Sequence, residues 1–166
     1  MILGQAWGVR VAELWAELPC DSEFSGTVTV CDRAISVAAP PDVVYAWLCQ
    51  LRAAPYSYDL LDNFGRRSPR HRDPRLTELA VGQRFMRLFG LLDFTPGEQI
   101  TLRTRGAAVT YAVRPDREGS RLHVRVRFRG PAWLFAPVLL VNFVMMRKQL
   151  LTLRDLAEQE AVAAIR

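Results

Sequence analysis

Residues 121–158 read RLHVRVRFRGPAWLFAPVLLVNFVMMRKQLLTLRDLAE, and this stretch decides the fold. Its start alternates strictly: Leu122, Val124, Val126 and Phe128 fall between Arg121, His123, Arg125, Arg127 and Arg129. Period two with one apolar and one charged face specifies an antiparallel strand whose charged side lies in water. The period then changes. Leu139, Phe143, Met146, Leu150, Leu153, Ala157 and Ala161 make a stripe at helical spacing, the mark of a long helix packed along one face. Residues 130–146 carry no charge over 17 positions, near the lower limit for crossing a bilayer. Pro131, Pro137 and Asn142 interrupt that run, and the stripe continues past Arg147 and Lys148. An amphipathic helix of a soluble domain is the better reading. A sheet with one apolar face, and one long helix to cover it, defines an α+β arrangement.

Working outward, Gly26 opens TVTVCDRAISVAA, a run rich in β-branched residues that reads as a strand. Pro40 and Pro41 stop it and pre-set φ for a helix start, with Asp42 in the first turn. Val43, Val44, Trp47, Leu48 and Leu51 form that helix's apolar stripe. Residues 58–64 read as a second short helix with Gly65 at its end. GRRSPRHRDPR (65–75) holds five arginines and two prolines and reads as an exposed loop. Strand-like runs follow at 81–89, 94–105 and 107–114, with turns at Thr95-Pro96-Gly97 and Pro115-Asp116. At the N-terminus Trp7, Val11, Leu14, Trp15 and Leu18 recur at helical spacing up to Pro19. Residues 1–25 are therefore expected to be an amphipathic helical segment, docked on the 27–160 domain or on a second copy. Burying its two tryptophans and leucine would contribute on the order of 5 kcal/mol before ordering entropy.

Composition bounds the rest. With 166 residues, 50% hydrophobic and 23% charged, the chain suits one packed domain and not a disordered one. The formal charge is +5, and Lys148 is the single lysine among 22 basic residues. That bias fits GC-rich coding better than phosphate binding, so nucleic acid is not an expected partner. Cys20, Cys31 and Cys49 match no zinc or disulfide pattern and read as buried or incidental thiols. No secretory signal opens the chain, and a cytoplasmic location is expected.

Four stretches resemble one family. RAISVAAPPDVVYAWLCQL (33–51) is similar to the first strand, Ala-Pro break and first helix of the START-like helix-grip (SRPBCC) superfamily, also called the polyketide cyclase/dehydrase and lipid-transport superfamily. APYSYDLLDNFGRRSP (54–69) resembles the Tyr-Ser-Tyr-Asp block of a bacterial subgroup. LAVGQRFMRLF (79–89) resembles its second strand, and MRKQLLTLRDLAE (146–158) its closing helix. The likeness covers 27–160. It implies a helix-grip fold: a curved antiparallel sheet wrapped around the C-terminal helix, with two short helices after the first strand and a cavity for apolar ligands between sheet and helix. It does not imply one reaction, since members include transporters, cyclases and hormone sensors.

The expected function is binding or carriage of a hydrophobic, lipid- or polyketide-like molecule. Phe85, Phe94, Tyr111, Val126, Phe143, Met146 and Leu150 are the candidate walls, each of which ordinary core packing would equally explain. The alternative is a cyclase or dehydratase working by acid/base side chains without metal or cofactor, with Tyr58, Asp59 and Arg84 as candidates. For Tyr56, Tyr58, Asp59, Asp62 and Asn63 two readings stay open: polar groups at a cavity mouth, or a helix start paired with Arg66 or Arg67. Arg84 either points inward toward a carboxylate or enolate, or outward to solvent. His71 and His123 read as solvated, the second in phase with the strand arginines. Membrane contact is expected to be at most peripheral, and a homodimer is an open partner state.

Overall fold

The computed structural model describes residues 5–58, 64 and 66–165. Among these, seven strands form one sheet in the order β1-β2-β7-β6-β5-β4-β3. They are β1 (Ala6–Trp7), β2 (Val28–Val37), β3 (Arg84–Phe85), β4 (Phe89–Thr95), β5 (Gln99–Arg103), β6 (Ala107–Asp116) and β7 (Gly119–Arg129). Three α-helices accompany them: α1 (Val11–Leu14), α2 (Pro41–Cys49) and α3 (Ala136–Ala163). Strand β1 lies parallel to β2, and all other neighbours are antiparallel. The long strands sit centrally and two-residue strands occupy both edges, each pairing two residues of β2 or of β4.

The alternation read from β7 sets the concave face. Leu122, Val124 and Val126 stand opposite Val113, Tyr111 and Val109 of β6, and Ile100 and Leu102 of β5 extend the same layer. All eight are essentially buried. Helix α3 lies across them and buries Leu139, Met146, Gln149, Leu150, Leu153, Leu156 and Ala157. Helix α2 starts where the prolines place it, with Pro40 as its N-cap. It is tied to α3 by Trp47 Nε1, which donates to Glu160 Oε2 at 2.9 Å, and Arg72 pairs with the same carboxylate. This is the helix-grip fold, with sheet and C-terminal helix as the sequence implies.

Two strand boundaries differ from the periodicity. The run 81–89 is not one strand: Met86 and Arg87 both have positive φ (46° and 63°), so the chain reverses between β3 and β4. The run 94–105 is cut by the turn after Thr95, and its halves belong to β4 and β5. The expected helix over 58–64 falls on 59–63 and so lies outside the described residues.

The convex face departs most from expectation. It is not wet. His123 is 5% exposed and Arg125 is 4% exposed, because residues 5–24 run over them as a strap. The strap is not the amphipathic helix that its spacing suggests. It contains β1, the single turn α1 and a 3₁₀ turn at Pro19–Ser22. Trp15 is 83% exposed, so the strap's hold does not come from two buried tryptophans. Its apolar contacts are two: Trp7 packs partly buried against the main core, and Leu18, Cys20 and Phe24 pack on Ala108 and Ala112 of β6. Gly8 allows the close approach, since a Cβ there would sit 2.3 Å from the Ala34 carbonyl oxygen.

Polar bonds hold the strap instead. Every N–H of the Arg125 guanidinium is used. Nε donates to Asp32 Oδ1 at 2.8 Å, Nη1 to the Ala16 carbonyl at 2.7 Å and to Asp21 Oδ2 at 2.8 Å, and Nη2 to the Glu13 and Leu14 carbonyls at 3.0 Å each. One side chain thus gathers three carbonyls at and just after the C-terminal end of α1. His123 Nε2 lies 2.8 Å from the same Asp32 oxygen. Arg121 grips Glu13 through Nε and Nη2 at 2.6 and 2.9 Å. Burial by itself would raise the Glu13 pKa, but the hydrogen bonds from Arg121 and the Arg10 backbone, with the Arg121 charge, hold it below the ordinary carboxylate value.

Candidate functional site

Under the first half of α3 the concave face is not filled. A cavity of about 570 Å³ lies between α3, the β6–β7 face and the β3–β4 turn. Its walls are Val109, Val126 and Phe128 from the sheet, Met145 and Met146 from α3, and Met86 and Phe89 from the turn and β4. Phe64, Arg87 and Leu88 form an exposed lip, with Arg87 Cζ 5.1 Å above the Phe64 ring. The consecutive left-handed residues Met86 and Arg87 give that lip its shape. Such backbone costs of order 1–3 kcal/mol per residue and is retained where surrounding contacts over-determine it. Here Met86 N donates to the Leu51 carbonyl at 2.9 Å.

Apart from Arg87 at the lip, the polar groups on these walls are few and neutral. Tyr111 OH donates to Gln149 Oε1 at 2.7 Å, and Gln149 Nε2 donates to the Pro55 carbonyl at 2.6 Å and approaches Met86 Sδ at 3.3 Å. Gln149 thereby fastens α3 to the sheet, to the segment after α2 and to the lip. Burial pushes the Tyr111 phenol well above its ordinary pKa, so it stays protonated. Asn142 also lines the cavity. Its Oδ1 is buried and has no hydrogen-bond partner among the described residues. A buried acceptor left without a donor costs about 1–3 kcal/mol, and a ligand hydroxyl in the cavity would relieve it.

Behind Met146 lies a charge that the sequence reading passed over. Arg33 of β2 is fully buried. Its Nη1 is 3.5 Å from Met146 Sδ, and its Cζ is 5.8 Å from the centre of the Phe143 ring. Burial lowers its pKa from the ordinary arginine value, yet arginine remains charged at neutral pH. The signal was available: Arg33 is in phase with Cys31 and Ile35 on the apolar side of its strand. Asn142 and Gln149 were missed because each is a polar residue flanking an apolar helical stripe, where solvent exposure is the usual outcome.

Of the seven candidate wall residues, the structure puts Tyr111, Val126 and Met146 on the cavity wall. Phe85 and Leu150 are fully buried in the core, while Phe94 is only partly covered and Phe143 packs beside Arg33. The acid/base candidates do not converge. Tyr58 is 40% exposed and off the cavity wall, and Asp59 lies outside the described residues. Arg84 points outward and donates to the Arg87 carbonyl at 3.3 Å. The expected solvated state of His123 is corrected by the strap, and that histidine sits on the opposite face of the sheet from the cavity. Among the described residues, no His/Cys/Asp/Glu cluster is arranged to hold a metal ion.

A fold of this kind with a half-open apolar cavity defines a helix-grip protein, and solved structures bear that out. The chain is similar to protein CV1439 of Chromobacterium violaceum, with a TM-score of 0.51 and 18% identity over 78% of this chain and 97% of that one. It is similar to the Polyketide_cyc-like protein Cgl2372 of Corynebacterium glutamicum, with a TM-score of 0.50 and 16% identity over 82% and 95%. The di-domain ARO/CYC StfQ of the steffimycin biosynthetic pathway shares the fold at a TM-score of 0.50 and 14% identity, over 81% of this chain and 52% of StfQ. At these identities the likeness is one of fold. No family model matches the chain, and no curated protein does.

Proposed function

We propose that this protein binds a hydrophobic small molecule in the cavity under α3. The observation that carries the reading is the cavity itself: about 570 Å³, a size typical of small-molecule sites, with mostly apolar walls and a few fixed hydrogen-bonding groups. The unmatched Asn142 acceptor narrows the class to apolar molecules that carry a hydroxyl or similar donor. The polar groups at hand are a protonated phenol, two amides, the Ser57 hydroxyl and the Arg87 guanidinium at the lip, which orient a ligand and do not exchange protons readily near neutral pH. Binding or carriage is therefore the preferred reading over acid/base catalysis. The buried Arg33 charge behind Met146 adds a positive potential that favours an electron-rich end of the ligand on that side.

A thermal-shift panel of long-chain hydroxy fatty acids, their unsubstituted counterparts and flat aromatic polyketide-like phenols tests it. Hydroxylated members are expected to raise the melting temperature most, and Asn142→Leu to remove that preference. Ala107→Trp, which fills the cavity from β6, is expected to abolish the shifts altogether. The reading fails if no member raises the melting temperature and native mass spectrometry of the purified protein shows no bound mass.

A further inference from the structure

Helix α3 is covered along one face only. Leu139, Met146, Leu150, Leu153, Leu156 and Ala157 are buried, whereas Val138, Leu140, Val141 and Val144 of its first half stand in solvent. By helical spacing Pro137, Leu140, Val141 and Val144 share one face, and exposed Arg147 and Lys148 continue that face one turn further on. At the foot of the helix Trp133 is 75% exposed. Of the most apolar 18-residue window in this segment, only 22% is buried. An apolar surface of this extent marks a contact with something else.

Charge decides with what. Residues 119–154 contain no Asp or Glu, and the apolar face is bordered by Arg147 and Lys148, both exposed. A two-fold pairing of this face with a second copy would set one basic border against another. An anionic bilayer opposes the border with negative charge. Tryptophan beside basic side chains is the composition favoured at the boundary between headgroups and acyl chains. The second half of α3 is committed to the sheet and α2, so the uncharged segment lies on a membrane and does not cross it.

We infer that the outer face of the first half of α3, formed by Leu140, Val141 and Val144 with Trp133 at its foot, docks on an anionic lipid bilayer. The apolar side chains enter the headgroup–acyl boundary, and Arg147 and Lys148 meet phosphates. The contact stands on the surface alone and does not depend on what fills the cavity.

Vesicle sedimentation with the full chain tests this. Vesicles of phosphatidylcholine mixed with phosphatidylglycerol are expected to bind at least about tenfold more protein than phosphatidylcholine alone, with the difference shrinking as salt rises. The double variant V141D/V144D changes two exposed residues, so its melting temperature should match the parent while vesicle binding falls at least about tenfold. Trp133→Phe should remove a blue shift of tryptophan emission that vesicles otherwise cause. No binding to the mixed vesicles, or binding that V141D/V144D leaves intact, overturns the inference. So does a concentration-dependent dimer that V141D/V144D dissolves in protein that ignores vesicles, because a second copy then covers the face.

Discussion

The two faces of the sheet are closed by opposite means. On the convex face a short strap, whose Val11, Leu14 and Trp15 side chains stand in solvent, buries arginine, histidine and aspartate, which are satisfied by one another and by the strap's carbonyls and carboxylates. On the concave face a long apolar helix covers apolar strands, yet leaves a cavity and an uncovered outer face. The comparison shows that covering is a matter of matching and not of hydrophobicity. Arg125 has a fixed set of N–H donors: the strap presents an acceptor to all four on its Nη atoms, and Asp32 of β2 takes the one on Nε. A concave wall of Val, Met and Phe has no such directional demand, so space can stay open there at the cost of lost packing alone.

The largest effect expected from this contrast is removal of the strap. A chain beginning at Gly26 leaves Asp32, His123 and Arg125 without their cover, and its melting temperature should fall by about 10 °C. A change within about a degree would show that the strap contributes nothing to the fold. Next is Arg125→Leu. Breaking a buried ion pair from one side costs about 3–5 kcal/mol, here because Asp32 keeps its charge with only His123 beside it. Chemical denaturation should show a lower midpoint with an unchanged slope; a loss under about 1 kcal/mol would mean that water replaces the guanidinium at little cost.

On the concave face the corresponding change is smaller. Tyr111→Phe removes one neutral bond and leaves Gln149 Oε1 without its donor, for a loss of about 1–2 kcal/mol. If it matched Arg125→Leu, the two faces would not differ in the way described. The smallest effect concerns acid. The depressed pKa of Glu13 means that its pairing with Arg121 stabilises the fold above the ordinary carboxylate value of 4.5 and is lost as pH falls through the depressed value. Glu13→Gln should therefore be less stable than the parent at pH 7, by about 1 kcal/mol, and equal to it at the acid end. A constant gap across pH titrations of stability would remove Glu13 from the acid response.

Legibility differed in the same way. The β7 alternation and the α3 stripe were plain because each repeats over a long run, and periodicity survives small irregularities. The β3–β4 region was read as one strand because nothing in Phe85-Met86-Arg87-Leu88 marks a reversal; neither left-handed residue is Gly, Asn or Asp. The cavity was half legible: Tyr111, Val126 and Met146 follow from facing the sheet or helix inward, but Phe85 and Leu150 face inward too and are simply packed. Asn142 and Gln149 break the apolar pattern of α3, and a local pattern gives no way to tell a polar residue aimed at a cavity from one aimed at water.

By itself, then, the sequence determined that β7 has two unlike faces, that α3 has one packing stripe, and that sheet and helix belong together. Only the tertiary structure decided what lies on each face. The strap residues that bury Arg125 are more than 100 positions away in the chain, and no periodicity within β7 can report a cover that arrives from so far. The same holds for α3, where Met146 lines the cavity and Leu150 is packed in the core although both lie on one helical stripe. Their difference lies in what the sheet and the β3–β4 turn place opposite each, which is a property of the whole fold and of no residue in it.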